Sequence, residues 1–231
     1  MTHPNAPTPL LELRALSCER DERCLFAGLH MTVEAGDIVQ IAGANGSGKT
    51  SLIRLLTGLS QDYQGDILWQ GELLSHRRLD YLNHLLYLGH LPGVKKALSP
   101  RENLAWFGGM SHGHPQIKVD QALSQVGLKG FEDVPCYSLS AGQLRRVALA
   151  RLYLTPARIW ILDEPFTAID KQGAERLEAL LSEHAAGGGV VILTTHQALN
   201  ITGVKQINLS DFQVDESYYQ ARDGFIGEGS L

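Results

Sequence analysis

Apolar and polar positions change their rhythm several times along the chain, and each change marks an element. Leu11 to Leu16 alternates as a half-buried strand does, and a charged turn at Glu19 to Arg23 leads to a second such segment, Leu25 to Val33. Glu34 to Asp37 reads as a turn, Ile38 to Ala42 as a short buried strand, and Gly43 to Gly48 as a glycine-rich loop opening a helix. That helix places Leu52, Leu55, Leu56 and Leu59 on one face, with Gly58 as its stop. From about Ser75 to Val134 no strand alternation is visible; helical stretches around Leu79 to Leu86, Pro100 to Phe107 and Ile117 to Val126 are separated by Gly and Pro clusters. Ser140 to Leu154 reads as a helix, started by the Ser140 and Gln143 spacing of a capping box and ended by Pro156. Ile159 to Leu162 and Val190 to Thr194 are buried strands, with a helix over about Gly173 to His184 between them. Short apolar strands alternating with helices predict an α/β fold with a mostly parallel sheet, helices on both faces, an N-terminal antiparallel β segment and an inserted helical subdomain.

Composition narrows the class. The 231 residues are 44% hydrophobic, enough for a core of one domain or two. With 20 basic against 25 acidic residues the formal charge is −5, so no nucleic-acid partner is expected. Cys18, Cys24 and Cys136 form no C-x-x-C pair and suggest a reducing compartment. The N-terminus lacks the pattern of a signal peptide, and the apolar runs are far shorter than the ~20 residues of a membrane span. Work at a membrane would require a partner to hold the chain there.

The chemistry lies in two segments. Gly43-Ala44-Asn45-Gly46-Ser47-Gly48-Lys49-Thr50 fits G-x-x-x-x-G-K-[ST] between a strand and a helix. Its backbone N–H groups can turn around phosphate oxygens, Lys49 can reach the β and γ phosphates, and the Thr50 hydroxyl can bind Mg²⁺, with Ser51 beside it. The plain alternative is a glycine turn before a helix. In Arg158 to Pro165 a buried strand ends in Asp163 and Glu164, two carboxylates suited to metal binding and to polarising a water; an ordinary polar strand end is the alternative.

Leu139-Ser140-Ala141-Gly142-Gln143 resembles the LSGGQ signature of ABC-type ATPases, about twenty residues before Asp163 as in that family. The resemblance extends from Leu11 to about Phe212. It implies ATP and Mg²⁺ as cofactors, Asp163 and Thr50 at the metal, and Glu164 as the catalytic residue, with Lys49 and His196 at the γ phosphate. It also implies a D-loop carrying Asp170 and a head-to-tail homodimer in which each signature segment meets the ATP of the opposite subunit. The implied organisation is one ATP-binding domain, with a catalytic core at about 11–74 and 156–212, a helical subdomain at about 75–155 and a polar tail at 213–231.

Two positions depart from the family pattern. His90 falls where the Q-loop glutamine contacts metal and water. Neutral imidazole can accept a hydrogen bond whereas imidazolium would oppose Mg²⁺, so turnover is expected to vary with pH between about 6 and 7. Arg20 falls where an aromatic residue stacks on adenine; a guanidinium can also stack, and a solvated charged turn is the equal alternative.

The runs Leu139 to Arg151, Trp160 to Lys171 and Thr194 to Gln197, with Arg20 and His90, resemble most the ATP-binding subunits of the bacterial cytochrome c maturation system, a haem-exporter family. This implies a peripheral subunit on the cytoplasmic face of the inner membrane, bound to a membrane-embedded B subunit and other small membrane subunits. It also implies ATP hydrolysis tied to haem export or to release of a haem-loaded periplasmic chaperone. The ATPase of a transporter for another solute is the alternative. Direct haem binding by this chain is not expected: His112 and His114 are the densest histidine pair, but their Ser, Gly and Pro neighbours read as an exposed loop.

Overall fold

The computed structural model describes residues 8–21, 23–110 and 118–214. His112 and His114 lie outside the described residues, as does the tail beyond 214.

The chain first lays down two long antiparallel strands, β1 (Leu11–Arg20) and β2 (Arg23–Val33), then β3 (Ile38–Ala42) and helix α1 (Lys49–Leu56). Next come β4 (Gln64–Trp69), β5 (Glu72–Leu73), α2 (Arg78–Asn83) and β6 (Leu85–Leu88). Three helices follow, α3 (Pro100–Met110), α4 (Val119–Gln125) and α5 (Ala141–Leu149), and then β7 (Ile159–Asp163), α6 (Lys171–Ala186), β8 (Val190–Thr194) and β9 (Lys205–Asn208). One sheet, ordered β2-β1-β4-β5, is antiparallel; the other, β6-β7-β8-β3-β9, is parallel throughout.

The central parallel strands β7 and β8 are buried on both faces, and for this reason they read as unbroken apolar runs. Along β7, Ile159 and Ile161 join the core shared with the antiparallel sheet and α1, where they meet Phe26, Ile41, Leu52 and Ile53. Trp160 and Leu162 join the opposite core, packed with Leu177 and Leu181 of α6. A third cluster, with Leu104, Leu123, Cys136, Leu139 and Val147, binds α3, α4 and α5 together. At the far end of β7 the Trp160 indole stacks on the His184 imidazole, with centroids 3.7 Å apart and planes within 5°. This pairing leaves no room for a Cβ at Gly189.

Three expectations need correction. The stretch Leu79 to Leu86 is not one helix: α2 ends at Asn83, and Leu85 to Leu88 is a strand pairing in parallel with Ile159 to Leu162. A four-residue apolar run shows no period that could separate a buried strand from a buried helix. Leu59 does not extend the buried face of α1: the helix caps at Thr57, Gly58 takes φ 69°, and Leu59 is 57% exposed. Ile53 occupies the core instead. Finally, the helix expected from Ser140 to Leu154 is α only to Leu149 and tightens to a 3-10 turn over Ala150–Tyr153. The strands β4 and β9 had no counterpart in the sequence reading, since their exposed polar residues break any alternation.

Candidate functional site

Parallel strands deliver their C-terminal ends to one edge of the sheet, where α/β folds place their ligands. Here that edge collects the loop Gly43 to Gly48 after β3, Gly89 and His90 after β6, Glu164 after β7, and Thr195 and His196 after β8. The result is a cleft of about 640 Å³ lined by Arg20, Asn45, Gly46, Gly48, Lys49, Thr50, Ser51, His90, Asp163, Glu164, Thr194 and His196, among others. Fourteen positions spread over 177 residues of sequence thus surround one cavity.

The phosphate-loop segment is built to leave donors open. Gly48 stands at the N-cap of α1 with φ 97°, and no side chain caps the helix. The first-turn N–H groups of such a helix have no internal acceptor and carry its positive dipole end. A Cβ at Gly48 would lie 3.0 Å from the Phe26 ring, so glycine is required here by both space and conformation. The Lys49 ammonium donates to the carbonyls of Gly43 at 2.7 Å and Ala44 at 3.0 Å, folded back over its own loop. Gly43, Ala44 and Ser47 form the loop itself rather than the cleft wall; the Ser47 hydroxyl is buried and unpartnered.

The acidic pair is held by strand register. Asp163 lies opposite Thr194. The Thr194 hydroxyl donates to Asp163 Oδ1 at 2.7 Å, leaving Oδ2 for another ligand, and the Glu164 N–H donates to Thr194 Oγ1 at 3.0 Å. Glu164 takes φ 51°, a left-handed conformation that costs a non-glycine residue roughly 1–2 kcal/mol. Its carboxylate is 17% exposed, and Oε1 lies 3.5 Å from Nε2 of the 65% exposed His196. Hard oxygen donors from Asp163 and Thr50 facing one cavity fit Mg²⁺, which takes few protein ligands and keeps water and phosphate oxygens around it.

His90 is exposed at the cleft wall. Arg20 also lines the cleft; its guanidinium is 66% exposed and lies 3.4 Å from Asp21. No residue of Leu139 to Gln143 lines this cleft, and neither does Asp170. In the signature segment Ser140 Oγ accepts from Gln143 N–H at 3.2 Å, and Gln143 Oε1 accepts from Ser140 N–H at 2.9 Å, closing the capping box expected from their spacing. A Cβ at Gly142 would come within 2.5 Å of the Ala168 carbonyl oxygen, so the segment packs directly on the loop leading to Asp170. Asp170 caps α6 by accepting from Gly173 N–H at 2.7 Å, and its other oxygen accepts from Arg146 at 2.7 Å.

Sequence reasoning gave no role to Thr194 or to Arg145. Thr194, the residue orienting Asp163, lies two positions before His196 in a run used only for the family resemblance. Arg145 is 4% exposed and donates to the carbonyls of Gly89, His90, Asp163 and Glu164. Burial pushes its guanidinium below the usual arginine range, while Asp163, Glu164 and Tyr87 push it back up. An arginine two positions after a signature gives no sign, in sequence alone, of the four carbonyls it meets.

Comparison with known proteins identifies the family. A family model described as ABC transporter matches residues 26–167. Cytochrome c biogenesis ATP-binding export protein CcmA of Pseudomonas fluorescens is 51% identical over 209 residues, covering 90% of this chain and 99% of that protein. The protein of the same name from Escherichia coli K12 is 53% identical over 203 residues, covering 87% and 97%. Among solved structures, an ABC transporter ATP-binding protein of Pyrococcus furiosus superposes with a TM-score of 0.76 at 27% identity, covering 88% of this chain and 99% of its own. The chain therefore belongs to the ABC transporter family as an ATP-hydrolysing subunit, within the group of cytochrome c biogenesis ATP-binding proteins named CcmA.

Proposed function

We propose that this chain, the ATPase subunit of an ABC system for cytochrome c biogenesis, works on the cytoplasmic face of the bacterial inner membrane. There it couples ATP hydrolysis to haem export or to release of the haem-loaded periplasmic chaperone. The observation that carries the chemical part is the convergence of Lys49, Thr50, Asp163, Glu164 and His196 on one cleft.

ATP enters with its phosphates against the open N–H groups of α1, and Lys49 exchanges the carbonyls of Gly43 and Ala44 for β and γ phosphate oxygens. Mg²⁺, when held by Thr50 and Asp163, neutralises charge developing on the phosphates. Glu164 accepts a proton from the water whose oxygen bonds to the γ phosphorus, as the bond from that phosphorus to the β–γ bridging oxygen breaks to leave ADP. His196, beside Glu164, contacts the γ phosphate. The signature residues Leu139 to Gln143 lie off this cleft, which supports a homodimer in which they and the D-loop with Asp170 serve the nucleotide of the opposite subunit. His90 takes the Q-loop position, and Arg20 flanks the base.

No described helix is long and apolar enough to cross a membrane, so the membrane subunits, the B subunit among them, supply the anchor. Their docking surface is assigned to the region of His90 to Glu102 and α3. There Leu91 is 79% exposed, and Trp106, 44% exposed, lies under the Lys95 ammonium at 4.3 Å. The test is to purify the chain with the membrane proteins that accompany it, identify them, and measure ATPase activity with and without haem. A haem-handling partner with coupled hydrolysis supports the reading. A different permease would replace it with transport of another solute and leave the ATP site intact. Glu164→Gln should bind ATP and accumulate as a closed dimer; rapid turnover by that variant would remove Glu164 from the role of base.

A further inference from the structure

Arg145 carries a positive charge into the interior beside the cleft. It is 4% exposed, it is salt-bridged to no carboxylate among the described residues, and its Nε has no partner. A buried cation is expensive; the nearby charges of Asp163 and Glu164 offset part of that cost without forming an ion pair, and an apolar residue of similar volume is the more stable choice in most cores. What the guanidinium meets instead is a ring of backbone carbonyls. Nη1 donates to Gly89 at 2.7 Å and His90 at 3.3 Å, and Nη2 donates to Asp163 at 2.8 Å and Glu164 at 2.6 Å. All four belong to the loops that carry His90 and the acidic pair. The donor belongs to α5, the helix whose first turn is the signature segment.

We propose that Arg145 is a positioning residue for hydrolysis. Its planar fork fixes the strained Glu164 backbone and the His90 loop in one frame and ties that frame to the signature helix. Only a guanidinium offers two divergent donor pairs in a rigid plane; a lysine ammonium is a single point and an amide has one donor group. Arg145 does not line the nucleotide cleft, so its effect passes through the atoms it holds. Movement of α5 when the signature segment engages a nucleotide is thereby transmitted to Glu164. This rests on the reading of Glu164 as the base.

The test is a double-mutant cycle on the full chain, in the membrane complex with which it purifies. Arg145→Gln is expected to lower kcat about 100-fold and Arg145→Lys about tenfold, since a displacement near 1 Å at a reacting group can cost that much. KM for ATP should stay within about threefold, because the groups that bind phosphate are untouched. Combined with Glu164→Gln, neither Arg145 variant should reduce the residual rate further. Turnover within twofold of wild type, a KM that rises as kcat falls, or losses that multiply in the double variant would each overturn the proposal. Full activity of Glu164→Gln with Arg145 intact would overturn the reading of Glu164 instead. Should the Arg145 variants not fold, guanidinium-resolved NMR of the Glu164→Gln chain decides. Arg145 Hη signals that are protected from exchange and shift on adding ATP and Mg²⁺ support the tie; signals that exchange freely or ignore nucleotide overturn it.

Discussion

Two helices of this molecule, α1 and α5, begin beside small residues, and they differ in how those beginnings are satisfied. At α1 the N-cap is a left-handed glycine with no side-chain bond, and the open N–H groups face a cavity of about 640 Å³. At α5 a serine and a glutamine close on each other's backbone, and no residue of the segment lines that cavity. The first leaves donors open toward a cleft of its own chain. The second is already self-satisfied and offers a closed surface away from the cleft. The same local grammar thus serves two purposes, and what separates them is whether neighbouring strands bring charge to the helix end.

The largest effect should come from breaking the α1 side. Lys49→Ala is expected to reduce ATP turnover by about 100-fold or more, as loss of a preorganised charge at a phosphate does, and steady-state ATPase assays at saturating ATP check it. On the α5 side, Gly142→Ala places a Cβ 2.5 Å from the Ala168 carbonyl. The forced shift should cost about 1–3 kcal/mol in denaturant unfolding and displace the loop to Asp170. An unchanged midpoint would mean that the contact relaxes freely. Ser140→Ala turns α5 into an uncapped start like that of α1, and loss of the Oγ bond should cost about 1 kcal/mol. If the two starts are distinct in kind, this variant should gain no affinity for ATP by itself.

The smallest effect belongs to the end of the sheet remote from both. Burial holds the His184 imidazole below the ordinary histidine range, partly offset by backbone hydrogen bonds at Arg158 and Val190. The unfolded chain therefore takes up a proton below about pH 6.5 that the folded chain resists, so stability is complete above that pH and declines as pH falls through it. Thermal midpoints between pH 7.5 and 5.5 should drop less in His184→Phe than in the parent chain.

The legible part of the fold was the part where one residue type had one use. Gly43 to Thr50 between β3 and α1, and the carboxylates ending β7, reveal themselves because glycines and acids have no packing reason to stand there. The capping box of Ser140 and Gln143 was readable for the same reason, and the geometry reproduced it. Leu85 and Leu86 read as the end of a helix rather than the start of β6, because apolar residues serve a buried strand and a buried helix equally. The burial of Leu59 was overestimated because the helix stopped one turn before its period did. Arg145 was invisible for a deeper reason: all four of its partners are carbonyls, and the backbone has no spelling.

The stacked pair at the foot of β7 has an optical consequence. Trp160 lies three residues before Asp163 on the same strand, roughly 10 Å along it, with a single imidazole against its ring face. Its emission depends on that stacking, so a shift of β7 relative to α6 during the ATP cycle would be written into the intensity of one indole. With Trp69 and Trp106 replaced by phenylalanine, the chain would carry its own fluorescent gauge of strand movement, with no dye attached near the nucleotide.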